Sequence, residues 1–210
     1  AGRRAFAFWT DLYRRGLLPR EVVSQGYRRA IELYQGGELA MLASGAEFLR
    51  SIQTNAPGIA AVTEPHPPLT GLDGTANVAV MNLAVPRQSA MPKEAVSFAL
   101  FLTNATNQAR FAEQARVLPS ARQALTTIEQ QLRRDIPADP QQALVHAARL
   151  QSAETLGRAR VLVPANPGVK RLQAIIYRQL QRAMLGQISS DAAVLAAERE
   201  WNLYAEGRWP

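Results

Sequence analysis

Cysteine is absent from the 210 residues, which excludes disulfides, thiolate metal sites and cysteine nucleophiles together. Histidine is scarce, and neither His66 nor His146 has a second histidine or a carboxylate at metal-ligand spacing. The sequence also lacks a G-x-S-x-G nucleophile elbow and a glycine-rich phosphate loop. We therefore expect no metal, no cofactor and no catalytic residue.

Carboxylate pairs are the remaining route to acid–base catalysis, because such partners need not be neighbours in the sequence. The glutamates fall mostly among arginines on predicted helices. Glu129 stands four residues before Arg133, and Glu154 stands four before Arg158. This spacing is typical of surface ion pairs worth a few tenths of a kcal/mol. We expect that the protein is not an enzyme.

Long hydrophobic runs are also missing. Unbroken apolar runs such as residues 59–62 fall far short of the roughly 18 apolar residues that a membrane-spanning helix needs. The first six residues carry two arginines but no apolar stretch and no cleavage site, so they do not resemble a signal peptide. We expect an export signal either to have been removed or never to have been present. The hydrophobic content of 47% is enough for a buried core.

Lysine is rare, although the net charge is +7: of 24 basic residues only Lys93 and Lys170 are lysines. The arginines occur singly or in pairs over the whole length. A surface that follows phosphates usually concentrates its charge and interleaves aromatic residues. This distribution favours solvated helix faces, and we expect no nucleic-acid partner.

Periodic apolar residues predict helices over most of the chain. Three fall in the first sixty residues and end near Gly16, Gly36–Gly37 and Pro57. Others begin at Pro92, with Val96, Leu100 and Phe101 as the buried stripe, and then cover residues 105–115, 120–134, 140–157, 169–185 and 190–206.

Two short β-branched runs, residues 59–63 and 78–85, predict strands separated by a proline-rich loop and an Asp73–Gly74 turn. Two strands cannot form a stable sheet alone. The fold class predicted from the residues is therefore α/β and helix-rich, with part of the sheet missing.

Several weak motifs occur in one order along nearly the whole chain. They are YQGGELAM at residues 34–41 with the small-residue turn 43–45, AV at 61–62 with the proline-rich loop 65–67, Gly74 with the strand through Val80 and Val85, SAMPKEAVSFALFLT at 89–103, NQ at 107–108, LPS at 118–120 and LGQISSDAA at 185–193. This ordered set resembles the extracellular (periplasmic) solute-binding proteins of sugar ABC transporters, family 1 type.

The resemblance implies the C-terminal half of a two-lobed periplasmic-binding-protein-like (type II) fold, which would account for the missing sheet. Residues 1–75 would be part of the C-terminal lobe. Residues 76–138 would cross to the N-terminal lobe, and residues 139–210 would return as helices to the C-terminal lobe. The chain departs from the family at Met91, where relatives have a helix-capping asparagine, and at the turn after Gly45, where many relatives have a sugar-stacking tryptophan.

The resemblance further implies a solute, most simply a carbohydrate, held in the cleft between the lobes and delivered to the membrane permease subunits of an ABC transporter. The complete protein would be periplasmic or extracellular and monomeric, and a lipid anchor is left open. Ser44 and Asn77 would offer hydrogen bonds, Glu47 would hold paired hydroxyls and Phe48 would stack. The expected ligand-binding residues are Ser44, Gly45, Ala46, Glu47, Phe48, Gly74, Asn77, Asn166 and Gly168.

Each of these residues also has a purely structural interpretation. Ser44 and Asn166 are good helix caps, Gly45 and Gly74 are turn residues, and Phe48 suits a core. The alternative function is a helical interaction module that binds nucleic acid or a protein through arginine-rich faces. Salt distinguishes the two, because phosphate binding weakens steeply with ionic strength and neutral sugar binding does not.

Overall fold

The computed structural model describes residues 1–115, 117–163 and 166–207. Two parallel two-residue strands, β1 (Ala76–Asn77) and β2 (Ala159–Arg160), pair with Ala76 opposite Ala159. Short 3₁₀ helices cover Arg20–Val23 and Ala46–Phe48. The α-helices are α1 (Gly2–Arg14), α2 (Tyr27–Gln35), α3 (Leu49–Asn55), α4 (Pro57–Ala61), α5 (Pro92–Leu102), α6 (Ala105–Ala115), α7 (Arg122–Arg134), α8 (Pro140–Leu156), α9 (Val169–Met184) and α10 (Ser190–Ala205).

The predicted helices after Pro92 are confirmed to within two residues at each end, and the local reason is visible at several N-termini. The Asp139 carboxylate accepts from the backbone N–H of Gln142 (2.9 Å) and precedes Pro140 at the first helical position. The Ser189 hydroxyl accepts from the Ala192 N–H (3.1 Å). At α7 the capping group comes from α6, since Gln108 Oε1 accepts from the N–H groups of Ser120 (2.8 Å) and Ala121 (2.9 Å).

The predicted strand at residues 59–63 is wrong, because this segment belongs mostly to helix α4. Pro57 occupies the first helical position, where its missing N–H costs nothing, so it begins a helix rather than ending one. Thr63 continues the turn by donating its hydroxyl to the carbonyl of Ile59 (2.8 Å). Local helix initiation therefore overrides the β-branched composition.

The predicted strand at residues 78–85 is also wrong, since strand geometry in this region ends at Asn77. The N–H of Val78 still donates to the carbonyl of Arg160 (3.0 Å), which is the last ladder contact to β2. A strand needs a neighbour along its length, and β2 stops at Arg160.

The predicted buried stripe of α5 is wrong as well. Val96, Leu100 and Phe101 are all exposed, and no residue of α5 is buried. The principal helix contact of α5 is with α6, which follows it directly in the chain. The apolar sides of α5 are therefore open to solvent.

The chain divides into two compact units, with one boundary inside α2 and the other between residues 162 and 163. Unit 1 consists of residues 1–30 and the described part of 163–210. In it, α1, α9 and α10 pack around buried Phe6, Ala183 and Ala193. Arg14 donates to the carbonyl of Ala183 (3.0 Å), and buried Gln179 donates to Glu200, so α9 is tied to both neighbouring helices.

Unit 2 consists of residues 31–162, and α8 contributes to both of its hydrophobic clusters. One cluster contains Leu49, Ile52, Ala60 and Ala148, from α3, α4 and α8. The other contains Ala112, Ile128 and Leu132, from α6 and α7, with Leu150 of α8 packed against them.

These units differ from the three predicted segments 1–75, 76–138 and 139–210. Helices α6 and α7 share a core with α8, because Ala112, Ile128 and Leu132 pack against Leu150 of α8. The assignment of the three segments to the lobes of a longer protein stays a prediction.

Candidate functional site

The first predicted contact group, residues 44–48, forms the entry to α3 in unit 2. Gly45 is extended (φ −89°, ψ 162°) and is followed by the 3₁₀ helix Ala46–Phe48. The Glu47 carboxylate folds back over the Gly45 α-carbon, so any side chain at position 45 would collide with it. Glycine at this position leaves room for that carboxylate, which is the mobile end of an exposed side chain.

Residues 44–48 differ in how far their side chains are exposed to solvent. Ser44 and Glu47 are exposed, whereas Gly45 and Phe48 are half-buried. Ala46 packs against the cluster around Leu49 and serves the core. The groups that can meet a solute are the Ser44 hydroxyl and the Glu47 carboxylate, which are the chemical types that bind hydroxyl groups.

The second group, Gly74 and Asn77, lies at the entry to β1. Gly74 has φ +68°, which glycine adopts without strain, and its N–H donates to the carbonyl of Gly71 (3.0 Å). Asn77 is exposed, and its Oδ1 accepts from the N–H of Leu162 (3.1 Å), just beyond β2. Gly74 thus forms a turn, and Asn77 extends the pairing of the two strands through its own side chain.

The third group, Asn166 and Gly168, lies before α9 in unit 1. The Asn166 side chain accepts from the N–H of Gly168 (2.7 Å), and its carbonyl accepts from the N–H of Val169 (3.0 Å). A Cβ on Gly168 would lie 2.8 Å from Trp201 Cη2 and 3.2 Å from Tyr204 Cε1. Two aromatic rings of α10 therefore require glycine here.

Those two rings are candidate functional residues that the sequence reasoning missed. Trp201 and Tyr204 have ring centroids 5.5 Å apart at 39°, and the Arg171 guanidinium lies 5.9 Å from the Tyr204 centroid. Trp201 is half-buried and Tyr204 is partly exposed, so the pair presents an aromatic surface beside Asn166 and Gly168. The available signal was the i, i+3 spacing of the two aromatics, which places them on one helix face.

A cluster of three charged side chains bridges α7 and α8. Arg133 donates to Glu129 (2.9 Å) and to Glu154 (2.7 Å), both at exposed positions. The hydrogen bond to Glu129, aided by the charges of Glu154 and Glu129, raises the pKa of Arg133. The predicted Glu129–Arg133 pair is present, while Glu154 bonds with Arg133 across the helix interface rather than with Arg158 four residues on. The guanidinium stays charged at every working pH, so this cluster fastens two helices and does no proton transfer.

The two histidines differ in their surroundings. His66 is exposed in the proline-rich loop. His146 lies in α8, and its buried Nε2 has no hydrogen-bond partner among the described residues. Within the described ranges, no three His, Asp or Glu side chains are grouped closely enough to hold a metal ion. Nor does any described helix have the length and apolar character needed to cross a membrane.

Residues 1–142 match the model of a family described as bacterial extracellular solute-binding protein. The chain belongs to this bacterial extracellular solute-binding family. Among the curated proteins, none matches it at a significant level.

A solved structure similar to this solute-binding chain comes from Synechococcus sp. MITs9220 and is named as a candidate oligosaccharide periplasmic-binding protein. It is 75% identical, with a TM-score of 0.94, over 100% of this chain and 53% of that chain. A second crystal structure with the same description, in complex with zinc, gives the same identity and TM-score over 52% of that chain. The zinc belongs to that crystal structure, and the expectation that this chain holds no metal stays a prediction.

The chain thus spans about half the length of the solved structures that it matches. The resemblance found in its motifs is confirmed, and so is the fold class, a helix-rich half of a two-lobed periplasmic-binding protein. Its family is extracellular and consists of solute-binding proteins rather than enzymes.

Proposed function

We propose that the complete protein binds a carbohydrate in the cleft between its two lobes and delivers it to the permease subunits of an ABC transporter. The observation that carries this proposal is the aromatic pair Trp201–Tyr204 beside Asn166 and Gly168. Aromatic faces combined with a few placed polar groups are typical of small-molecule sites. The Synechococcus relative is named as a candidate oligosaccharide periplasmic-binding protein, and this name supports the same class of solute.

The pair Trp201–Tyr204 can supply the sugar-stacking surface that the half-buried Phe48 does not. Relatives are expected to stack a sugar on a tryptophan after the small-residue turn, where this chain has Phe48, which is half-buried. Tyr204 is partly exposed, and the nearby Arg171 guanidinium lies over its ring. We propose that Tyr204 packs on a sugar ring and that Asn166 orients the adjacent backbone.

The first test removes the exposed ring. Tyr204→Ala in the complete protein should weaken carbohydrate binding by about 1–2 kcal/mol, because the aromatic surface on which the sugar would stack is lost. Isothermal titration calorimetry with a panel of mono- and disaccharides measures the change. Tyr177→Ala is the matched control, since Tyr177 is an exposed tyrosine of α9 in the same unit. Equal affinities for both variants and the unmodified protein would remove Tyr204 from the site.

We also propose that Ser44, Glu47 and Asn77 contribute polar contacts in the complete protein. The Glu47 carboxylate can accept two hydroxyl hydrogen bonds, and the absence of a side chain at Gly45 leaves it room. Ser44 and the Nδ2 group of Asn77 can add single hydrogen bonds. Gly45, Ala46, Gly74 and Gly168 are proposed to shape the surface through their backbones rather than to contact the solute with side chains.

The second test removes one carboxylate. Glu47→Ala in the complete protein should weaken sugar binding by about 1–3 kcal/mol, because a hydrogen bond to a charged group is lost. Glu38→Ala, which removes a carboxylate from the loop before the turn, is the control and should bind normally. Circular dichroism of both variants establishes that the fold is intact. Unchanged affinity of Glu47→Ala would exclude the carboxylate as a ligand contact.

A further inference from the structure

Helices α6, α7 and α8 of unit 2 border a cavity of about 250 Å³. Its lining includes side chains from all three helices and from the residue just after α7, namely Glu113, Ile128, Leu132, Asp135, His146 and Arg149. None of the predicted solute contacts belongs to this lining, and neither do Trp201 and Tyr204. The cavity is therefore a feature of unit 2 that the proposed carbohydrate site does not use.

His146 is the first indication that this cavity receives a ligand. Its Nε2 atom is buried and has no hydrogen-bond partner among the described residues. Burying a polar atom without a partner is unfavourable, so such atoms in folded proteins are normally paired with protein, water or a ligand. An imidazole nitrogen accepts or donates a hydrogen bond according to its tautomer. A polar guest in the cavity would therefore satisfy His146.

The charged side chains of the cavity differ in depth. Arg149 is 8% exposed, which is unusual for an arginine, so its positive charge lies on the inner wall. Glu113 and Asp135 are exposed, so their negative charges lie near the opening. Ile128 and Leu132 are buried and add an apolar wall. A molecule that fills the cavity thus meets a buried cation, two carboxylates and an apolar surface.

We propose that this cavity binds a small α-amino acid in its zwitterionic form. The ligand's carboxylate accepts hydrogen bonds from the Arg149 guanidinium and from Nε2 of His146. Its ammonium group donates to Glu113 and Asp135, and its side chain packs against Leu132. The cavity is smaller than the roughly 300–1,000 Å³ of sites for drug-sized ligands, which favours a short side chain. The proposal stands whether or not the solute of the cleft is a sugar.

Three other classes of ligand fit the cavity less well. A simple anion is repelled by the two carboxylates at the opening. A simple amine pairs with those carboxylates but makes no use of the buried guanidinium. A metal ion is not favoured, because the described part of the chain brings no three His, Asp or Glu side chains close enough to hold one. A molecule that carries both charges complements both parts of the cavity.

Proton NMR of the histidine rings tests this site in the complete protein. The His146 signal is the one that disappears in the His146→Gln variant. L-alanine should shift that signal saturably and leave the signal of His66 in place, because His66 is exposed in the proline-rich loop. Propionate lacks the ammonium group and ethylamine lacks the carboxylate, so each should bind at least about tenfold more weakly than L-alanine. An unshifted His146 signal with L-alanine, or equal affinity for either control compound, would overturn the proposal.

A double variant of the complete protein tests the carboxylates at the opening. Glu113→Gln combined with Asp135→Asn should weaken L-alanine binding at least about tenfold in isothermal titration calorimetry, because the partners of the ammonium group lose their charge. Both positions are exposed, and circular dichroism checks that the fold persists. Glu94→Gln neutralises an exposed carboxylate of α5 and is the control that should bind L-alanine normally. Unchanged affinity of the double variant, or L-alanine binding that competes with the carbohydrate, would overturn the proposal.

Discussion

The isolated chain 1–210 should bind mono- and disaccharides no more tightly than about millimolar, or roughly −4 kcal/mol. The complete protein should bind the same sugar at least about 100-fold more tightly. A two-lobed receptor grips its solute from both walls, and closure excludes water that competes for each hydrogen bond. This chain spans about half of its solved relatives, so it supplies only part of that enclosure.

Isothermal titration calorimetry on both proteins, with a panel that includes glucose, maltose and trehalose, measures this difference. A repeat at high salt separates sugar binding from phosphate binding by the arginine-rich faces, because only the second weakens steeply with ionic strength. Micromolar binding by the isolated chain would show that its site is self-contained and would contradict the two-wall account.

Truncating Ile175 to alanine should lower the free energy of unfolding by about 2–4 kcal/mol, the second large effect expected here. Ile175 lies on α9 in unit 1 and is 1% exposed, among the largest fully buried side chains of the described residues. The substitution removes three carbon atoms and leaves a cavity that packed helices refill only partly.

Urea unfolding followed by circular dichroism measures the change. Tyr177→Ala is the matched control on the same helix, because Tyr177 is 67% exposed, and its truncation should change stability by less than about 0.5 kcal/mol. A loss for Ile175→Ala no larger than that of the control would mean that α9 does not carry the core of unit 1.

Helices were predictable wherever their signals were local. Asp139 followed by Pro140, and Ser189 two residues before Asp191, define N-termini through groups within one turn. At residues 59–63 two local signals disagreed. The β-branched composition favoured a strand, whereas Pro57 favoured the start of a helix, and the segment is mostly helical. Proline at a first helical position decided the outcome.

The predictions of a strand at residues 78–85 and of a buried stripe on α5 were wrong for another reason. Both expectations required neighbours, and neither Val80 nor Phe101 is covered in this chain. A sequence pattern records what a segment buries in the complete fold, whereas the structure of half a fold shows it uncovered.

For the candidate site, the sequence predicted the local roles of single residues but not the contacts between distant ones. The turn role of Gly74 and the cap-like role of Asn166 follow from local chemistry. The contact of Gly168 with Trp201 and Tyr204 joins residues more than thirty positions apart, which no local pattern encodes. That contact is also what makes the aromatic pair a candidate for the solute surface.

Native mass spectrometry of the complete protein, mixed with the same sugar panel, tests the central claim most directly. The account predicts a monomeric species of about twice the 23.0 kDa of this chain, shifted by the mass of a single bound sugar, whereas the isolated chain under the same conditions stays unshifted. A 23.0 kDa species that is itself the complete protein and carries the sugar would contradict it.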